Sequence, residues 1–370
     1  MTQKSTKSTL DLCRTLIRTP SQASVDSTKG VTSVVEGWLS SNDVPYKALK
    51  SRTGRIVGIL INPPDETGSN VLLLNACLDT ALAGDAAQWS CDPFEAEESN
   101  GWLYGRGAAD SKAAVAVFCS LGASLRTMGL LSRRHTGRHV SIFFDCDEHS
   151  GRFAGIKRFV QLYGYPANCI IGYPGNDKIV IGSRGFFRTS ITLRGTLAHA
   201  GSGKPLRESA VEKLALLIQN INQFQEADRV ITEEFPLAPK GSVTHISTGP
   251  KTFTVSASRI ETSIDIRLTP TFGAKEAREH LRSVLARIEG EIGRQFPPLL
   301  SEVNTWPAFR TSEDCLLVQL LDESIQAILG RSASHQVSGP SNIGNLLAAS
   351  GANVIAGFGV TYRDIHAPNE

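Results

Sequence analysis

Strand-like apolar runs alternate with helical patterns along most of the chain, and this alternation constrains its fold more than any other feature. The apolar runs, which are typical of strands buried in a sheet, lie at residues 55–61, 70–75, 139–146, 169–172 and 353–358. The helical patterns, in which apolar residues recur at helical spacing, lie at residues 6–18, 29–42, 108–128, 151–162 and 314–329. The alternation predicts an α/β fold whose sheet has helices on both faces.

The pattern changes near Ile181. The segment that follows contains a strand, a helix, two strands and a helix, in that order, at residues 188–194, 207–225, 241–248, 258–268 and 274–292. This order matches a small split-βαβ sandwich. The first pattern returns after the Pro-Pro pair at 297–298. We therefore predict a main domain of residues 1–182 plus 294–370, into which residues 183–293 are inserted as a second domain.

Charge and cysteine usage exclude several classes of protein. The net charge is only +2, which leaves no basic patch for nucleic acid or an anionic membrane. The seven cysteines form no CxxC pair, which argues against a disulfide framework and a cysteine-rich zinc module. The first residues lack the apolar core of a signal peptide, and no window has eighteen uncharged apolar residues. The sequence therefore predicts a cytoplasmic protein with reduced thiols that binds neither nucleic acid nor membrane.

Polar residues cluster where the predicted strands end. These polar segments are residues 76–80, 104–112, 147–151, 172–175 and 366–370. In open α/β sheets, ligands bind outside the carboxyl ends of the strands. The five segments therefore contain the candidate functional residues.

Several short runs, in these segments and elsewhere in the chain, resemble those of a known family. The distinctive runs are Trp89…Asp92-Pro-Phe94, GRGAADSK at 105–112, DEHSG at 147–151, RGTLAHAGS at 194–202 and HAPNE at 366–370. In this order they are similar to those of the di-zinc amidohydrolases that include acetylornithine deacetylase, succinyl-diaminopimelate desuccinylase, aminoacylase and glutamate carboxypeptidase. The resemblance covers nearly the whole chain. It implies a central mixed sheet flanked by helices, with the inserted domain serving as a dimerisation and lid domain.

The resemblance also implies a metal site, from which this chain departs. The family binds two zinc ions that share one bridging aspartate, here Asp110. At three of the five ligand positions this chain differs: Cys77 replaces a histidine, His149 a glutamate, and Tyr173 an acidic residue. Asp110, His149 and His366 still form a sound set of ligands for zinc, and the same types of ligand hold ferrous iron.

The other half of the family's site is chemically incomplete. A thiolate such as that of Cys77 binds zinc well, but a neutral phenol such as that of Tyr173 does not. We therefore predict one zinc or other divalent transition metal rather than two. Whether Cys77 is a ligand or a buried small apolar side chain stays open at this point.

The resemblance implies roles for further residues. Glu148 occupies the position of the family's general base, and His199 that of a histidine that polarises the substrate. Asp79 occupies the position of an aspartate that orients the adjacent metal ligand. Substrate contacts are assigned to three residues, namely Tyr173, Asn342 and Arg267.

These assignments predict a metal-dependent amidohydrolase that cleaves an amide of an amino acid, in the manner of a deacetylase or carboxypeptidase. The segment at 175–195 also resembles the branch of the family that releases an amino acid from a small acidic amino-group carrier protein. The alternative is a member of the same fold that does not hydrolyse, either a binding or regulatory protein or a biosynthetic enzyme that makes another bond. A homodimer formed through residues 183–293 is also implied.

Overall fold

The computed structural model describes residues 3–64, 71–131, 139–202 and 208–370. These residues divide into two compact units. Unit 1 comprises residues 1–182, 311–338 and 342–370, and unit 2 comprises residues 183–310 and 339–341. The candidate residues that follow the strands of the first pattern all belong to unit 1.

The helices and strands have the following bounds. The α-helices are α1 Gln3–Ile17, α2 Lys29–Ser41, α3 Ala113–Thr127, α4 Ala154–Tyr163, α5 Ala210–Asn220, α6 Ala274–Ile292, α7 Leu316–Leu329 and α8 Gly344–Ala348. The strands are β1 Tyr46–Lys50, β2 Ile56–Ile61, β3 Val71–Cys77, β4 Glu97–Ser99, β5 Trp102–Tyr104, β6 His139–Asp145, β7 Asn168–Ile171, β8 Lys178–Ser183, β9 Gly185–Arg194, β10 Lys240–Thr248, β11 Arg259–Leu268, β12 Leu299–Trp306, β13 Phe309–Arg310, β14 Ser334–Ser338 and β15 Asn353–Ile355. Asn70 and Arg207, the first residues of a predicted strand and a predicted helix, lie outside the described residues.

A mixed sheet forms the centre of unit 1. Its strand order is β1-β2-β6-β3-β7-β15. The pairs β6–β3, β3–β7 and β7–β15 are parallel, whereas β1–β2 and β2–β6 are antiparallel. The apolar run of β3 is almost continuous because this central strand is buried on both faces. The predicted α/β class with a central mixed sheet is confirmed.

Helices cover both faces of this sheet. Successive side chains of β6 point to opposite faces, and both Phe143 and Phe144 are buried. Phe144 joins the core that contains Leu16 of α1 and Val35 of α2. The ring of Phe143 lies 5.6 Å from the ring of Phe159 on α4. The core of unit 1 therefore lies on the two sides of the sheet, beneath helices that pack against each side.

The predicted helix at 108–128 begins later than its apolar pattern suggests. Residues Ala108–Lys112 form an irregular wide turn in which Asp110 has φ −119° and ψ 93°, outside the helical range. The regular helix α3 starts at Ala113. Contacts of this turn with neighbouring segments, described below, outweigh the helix propensity of its residues.

One apolar helical stretch among the described residues, Ala108–Thr127, is long enough to cross a membrane by length and composition alone. Within the protein, 61% of its most apolar window is buried. Its apolar side chains are therefore used in the core of unit 1, as in the central helix of many globular proteins.

Unit 2 is an antiparallel sheet with two helices. Its strand order is β10-β11-β9-β12, and every pair is antiparallel. The apolar residues of α5 and α6, such as Leu217 and Leu281, join a core with Ile191 of β9 and Ile264 of β11. The elements up to α6 follow the predicted β-α-β-β-α order.

The strand β12 sets the end of unit 2. Residues 299–306 pair with β9 along most of their length, so unit 2 continues to Arg310. The end predicted at residue 293 falls before this strand. The first five residues of β12 are exposed, so the apolar pattern on which strand prediction depends is absent there.

Candidate metal centre

The candidate residues of unit 1 meet at one edge of the mixed sheet. Strands β3 and β6 are parallel neighbours, so their carboxyl ends lie together. Cys77 ends β3, and Asp79 follows it. Glu148 and His149 lie in the loop after β6, and Tyr173 lies in the loop after β7. This is the edge at which the sequence places a binding site.

Asp79 fixes the loop that carries Glu148 and His149. Its Oδ1 accepts a hydrogen bond from the backbone N–H of Glu148 at 3.0 Å. Its Oδ2 accepts one from the backbone N–H of His149 at 2.9 Å. With a cysteine at position 77, the resemblance leaves no obvious ligand for this aspartate to orient; its carboxylate holds the loop after β6, and its Oδ2 also lies 3.4 Å from Nδ1 of His149. A catalytic role for Asp79 stays a prediction.

Ser111 connects the end of β3 to the turn that carries Asp110. Its hydroxyl accepts from the backbone N–H of Cys77 at 2.9 Å and lies 3.2 Å from the carbonyl oxygen of the same residue. The thiol of Cys77 lies 3.1 Å from the Ser111 hydroxyl and 3.6 Å from Asp110 Oδ1, to which it donates. The carboxylate of Asp110 is thereby held at the end of the strand, with the residue only 1% exposed.

Asp110, His149 and His366 converge on one point. Nε2 of His366 lies 2.7 Å from Asp110 Oδ2, and Nε2 of His149 lies 3.5 Å from the same oxygen. One ligand atom from each of the three residues lies within 4.8 Å of the other two. The structure therefore brings together the three side chains that the sequence assigns to the metal.

A second group overlaps with the first through His149. Ligand atoms of Cys77, Glu148 and His149 also lie within 4.8 Å of one another. Nδ1 of His149 lies 3.4 Å from Glu148 Oε2 and 4.0 Å from the sulfur of Cys77. His149 thus presents Nε2 to Asp110, and Nδ1 to Glu148, Cys77 and Asp79.

The charges of this cluster shift its pKa values strongly. Burial opposes ionisation of Asp110, but the neighbouring His149 and His366 outweigh it and hold the pKa of this carboxyl below its usual range. Burial likewise opposes the charged form of His149, but the negative charges of Asp110 and Glu148 raise its pKa well above the ordinary value. Burial raises the pKa of Glu148 to about 7, with a further contribution from Asp110.

Tyr173 faces the same negative charges. Burial, together with the charges of Asp110 and Glu148, raises the pKa of its phenol well above the ordinary value. The hydroxyl therefore stays protonated near neutral pH. A protonated phenol is a poor metal ligand, which leaves Tyr173 as a hydrogen-bonding or packing group, and its role in substrate binding stays a prediction.

The donor set fits a divalent transition metal. Two imidazoles and a carboxylate are the ligands that zinc and ferrous iron accept. Nε2 of His149 is buried and has no hydrogen-bond partner among the described residues. A buried ring nitrogen without a partner is costly, and a metal ion next to Asp110 would satisfy it.

Asn342 uses its side chain within the fold of unit 1. Its Oδ1 accepts from the backbone N–H of Gly344 at 2.9 Å, at the start of α8. Its Nδ2 donates to the carbonyl oxygen of Ala356 at 2.8 Å, just after β15. These bonds position the loop before α8, and a contact of Asn342 with substrate stays a prediction.

Two predicted residues, His199 and Arg267, belong to unit 2. His199 is exposed, and its Nδ1 accepts from the backbone N–H of Gly201 at 3.0 Å. Arg267 pairs with Asp265 at 2.8 Å and donates to the hydroxyl of Ser341 at 3.1 Å. The roles assigned to His199 and Arg267 stay predictions.

Sequence reasoning gave no role to Ser111, Arg106 and Glu370. All three are buried polar residues within the distinctive runs, and Arg106 and Glu370 form a buried ion pair. For Arg106 and Glu370, the signal that the sequence offers is their charge, because Arg and Glu are rarely buried unless they are paired. Nothing in the sequence alone indicates which partner each one has.

Known proteins are similar to this chain in sequence. Residues 73–370 match the profile of Peptidase family M20/M25/M40. A succinyl-diaminopimelate desuccinylase of Sulfurimonas denitrificans is 25% identical over 374 residues, covering 98% of this chain and 93% of its own.

Solved structures agree on the fold. Human carnosine dipeptidase 1 has a TM-score of 0.75 and 16% identity, over 100% of this chain and 93% of its own. A dinuclear metal binding peptidase of the M20 family from Bacillus subtilis has a TM-score of 0.62 and 15% identity, over 95% of this chain and 88% of its own. The resemblance drawn from the distinctive runs is confirmed: the chain belongs to Peptidase family M20/M25/M40.

Proposed function

We propose that the protein is a metal-dependent amidohydrolase that cleaves an amide bond of an amino-acid derivative. In this proposal Asp110, His149 and His366 hold a single zinc or other divalent transition metal ion. The observation that carries the proposal is the convergence of the three ligand atoms within 4.8 Å, beside the carboxyl of Glu148. A family of hydrolases and a fold shared with metal-binding peptidases support the same activity.

The bound metal would supply a Lewis acid that polarises the amide carbonyl and lowers the pKa of water. Glu148 performs the proton transfers: its carboxylate takes a proton from the attacking water and gives it to the departing amine. Burial keeps this carboxyl away from bulk solvent, with the residue 6% exposed. Asp79 accepts from the backbone N–H groups of Glu148 and His149, so it keeps Glu148 in place.

The names of the relatives suggest a substrate class. The sequence relatives described as desuccinylases suggest an N-succinyl amino acid, and the structural neighbours described as peptidases suggest a dipeptide. We expect N-acyl amino acids of the first kind to be the better substrates, because the similarity in sequence is greater. An amide linked to an amino-group carrier protein is a further substrate to include in the same panel.

Metal analysis of the purified protein tests the site. We expect about one equivalent of a divalent transition metal per chain in the wild type, and much less in Asp110→Asn and His149→Ala. Two tightly bound equivalents in the wild type would contradict a single metal. Retention of the metal by both variants would place it elsewhere.

Glu148→Gln tests the chemistry. This variant keeps the size of the side chain but removes its basicity, so metal content should be unchanged. Turnover of the best N-acyl amino acid should fall about 10²–10⁴-fold, as expected for loss of a general acid–base group. Glu208→Gln, which changes a buried glutamate bonded to Lys213 within unit 2, is the matched control and should keep its turnover.

Absence of hydrolysis decides against the proposal. If wild-type protein loaded with metal leaves the whole panel of N-acyl amino acids, dipeptides and carrier-linked amines intact, then the protein is a non-hydrolytic member of its family. Binding of these compounds without turnover, measured by calorimetry, would then support a binding or regulatory role.

A further inference from the structure

The side chain of Glu370 lies between two segments, one carrying Asp110 and the other carrying His366. Its carboxylate is fully buried and forms an ion pair with Arg106, of which 1% is exposed. A buried ion pair is costly to assemble unless further hydrogen bonds satisfy its remaining oxygens and N–H groups.

One oxygen of Glu370 organises the turn before Asp110. Oε1 accepts from the backbone N–H groups of Gly107, Ala109 and Asp110 at 3.1, 3.2 and 3.0 Å. Gly107 has φ +87°, and a side chain there would approach Thr80 to 2.6 Å, so a glycine is needed for this turn. The carboxylate thus holds the backbone of Asp110 itself in its irregular conformation.

The other oxygen of Glu370 organises the segment of His366. Oε2 accepts from the backbone N–H of His366 at 3.1 Å. The guanidinium of Arg106, which pairs with this oxygen, also donates to the carbonyl oxygens of His366 and Ala367 at 3.3 Å each. The ring of Trp89 lies 5.0 Å from the same guanidinium and limits its movement.

We propose that Glu370 is a positioning residue that sets Asp110 and His366 at their mutual distance through hydrogen bonds to the backbone of both. Its two oxygens divide between the two segments, so movement of the carboxylate moves both side chains. The proposal rests on the metal site of the proposed function. Groups that orient metal ligands in this way commonly contribute about 10–100-fold to metal affinity.

Unit 2 offers a matched control. Glu208 is also buried, also accepts backbone N–H groups, and also pairs with a buried cation, Lys213, at 2.6 Å. It belongs to the other unit, and its partners Lys213, Gln295 and Phe296 belong to the same unit. Glu370→Gln and Glu208→Gln therefore remove the same charge from similar surroundings, and only the first removes it beside the metal site.

The first measurement uses metal-free protein with ¹⁵N-labelled histidine. In wild type and Glu208→Gln we expect a ring N–H resonance of His366 that exchanges slowly with water, because Nε2 is bonded to Asp110 at 2.7 Å. His366→Asn identifies the resonance by its loss. In Glu370→Gln the resonance should disappear or exchange rapidly. An unchanged resonance would overturn the proposal, whether or not the protein binds metal.

The second measurement is the Zn²⁺ affinity of folded protein, by competition with a chromophoric chelator. Glu370→Gln should bind about 10–100-fold more weakly than wild type, Glu370→Asp should be intermediate, and Glu208→Gln should be unchanged. Equal weakening by both Gln variants would show a general loss of stability and overturn the proposal. If Glu370→Gln does not fold, Glu370→Asp is compared with wild type in both measurements, the ring N–H resonance and the Zn²⁺ affinity. Absence of Zn²⁺ binding by wild type would refute the proposed function, and the ring N–H then decides on Glu370 alone.

Discussion

At the scale of single residues, the site depends on side chains that bond to the backbone of distant segments, in addition to the bonds between its side chains. Asp79 holds the backbone of residues 148 and 149, and Ser111 holds that of Cys77. A helix or strand pattern cannot reveal such contacts, because they join segments that are distant in sequence. The residues predicted to bind the metal nonetheless lie together in the structure. They could be predicted because each of them, Asp110, His149 and His366, belongs to one of the distinctive runs.

At this scale we predict that Cys77 is not a metal ligand. Burial and the charge of Asp110 raise the pKa of its thiol well above the ordinary value, and its sulfur lies 3.1 Å from the Ser111 hydroxyl. A protonated thiol is a hydrogen-bond donor, whereas zinc binds the thiolate. We therefore expect Cys77→Ser, whose hydroxyl also donates, to keep about one equivalent of metal in elemental analysis. Loss of metal comparable to that in His149→Ala would instead identify Cys77 as a ligand.

At the scale of elements, the sequence predicted helices and strands best where their buried residues form a continuous run or a single stripe. The strands β3 and β6 are apolar runs, and the helix α6 has one apolar stripe, so their positions follow from hydrophobic periodicity. The strand β12 was missed because its side chains are largely exposed, and only its pairing with β9 makes it a strand. The turn at Ala108–Lys112 was predicted as helix because its residues favour one.

The contact between α7 and β14 gives a prediction of pH dependence. His335 of β14 lies 2.8 Å from Asp322 of α7 and 2.9 Å from Glu313. Burial lowers the pKa of His335, but these two hydrogen bonds outweigh it and raise the pKa above the ordinary value. A raised pKa in the folded protein means that the charged histidine stabilises it below about pH 6.5, and that this contribution is lost as pH rises through the folded value.

His335→Gln should therefore lower the free energy of unfolding by about 0.5–1 kcal/mol at pH 6, and by almost nothing at pH 9. Urea unfolding at both pH values measures this difference. Replacing both acids, as Glu313→Gln with Asp322→Asn, should abolish the same pH dependence. A difference between wild type and His335→Gln that is equal at pH 6 and pH 9 would rule out the charged interaction.

At the scale of the whole molecule, two units with separate cores share one chain. Unit 2 has an antiparallel sheet with exposed edge strands β10 and β12, and α5 exposes apolar side chains, including Val211 at 53% and Ile218 at 48%. Apolar side chains and unpaired strand edges on one unit favour association with a second copy. They support the homodimer that the resemblance implies.

Light scattering tests the dimer. At micromolar concentration, wild type should have twice the 39.8 kDa mass of one chain. The double variant Val211→Glu with Ile218→Glu places two charges on the exposed face of α5, so it should shift the mass toward that of one chain without unfolding unit 2. Lys7→Glu on α1 of unit 1 is a control that should leave the dimer intact. A wild-type protein that is monomeric would exclude this assembly.

The bond between Asp110 and His366 joins residues 256 positions apart. All of unit 2 is encoded between them. A ribosome that has completed the inserted unit has not yet delivered His366 or Glu370, so the nascent chain carries the turn of Asp110 without the groups that hold it. A metal ion at the proposed site could therefore be bound by all three side chains only after the whole of unit 2 has been synthesised.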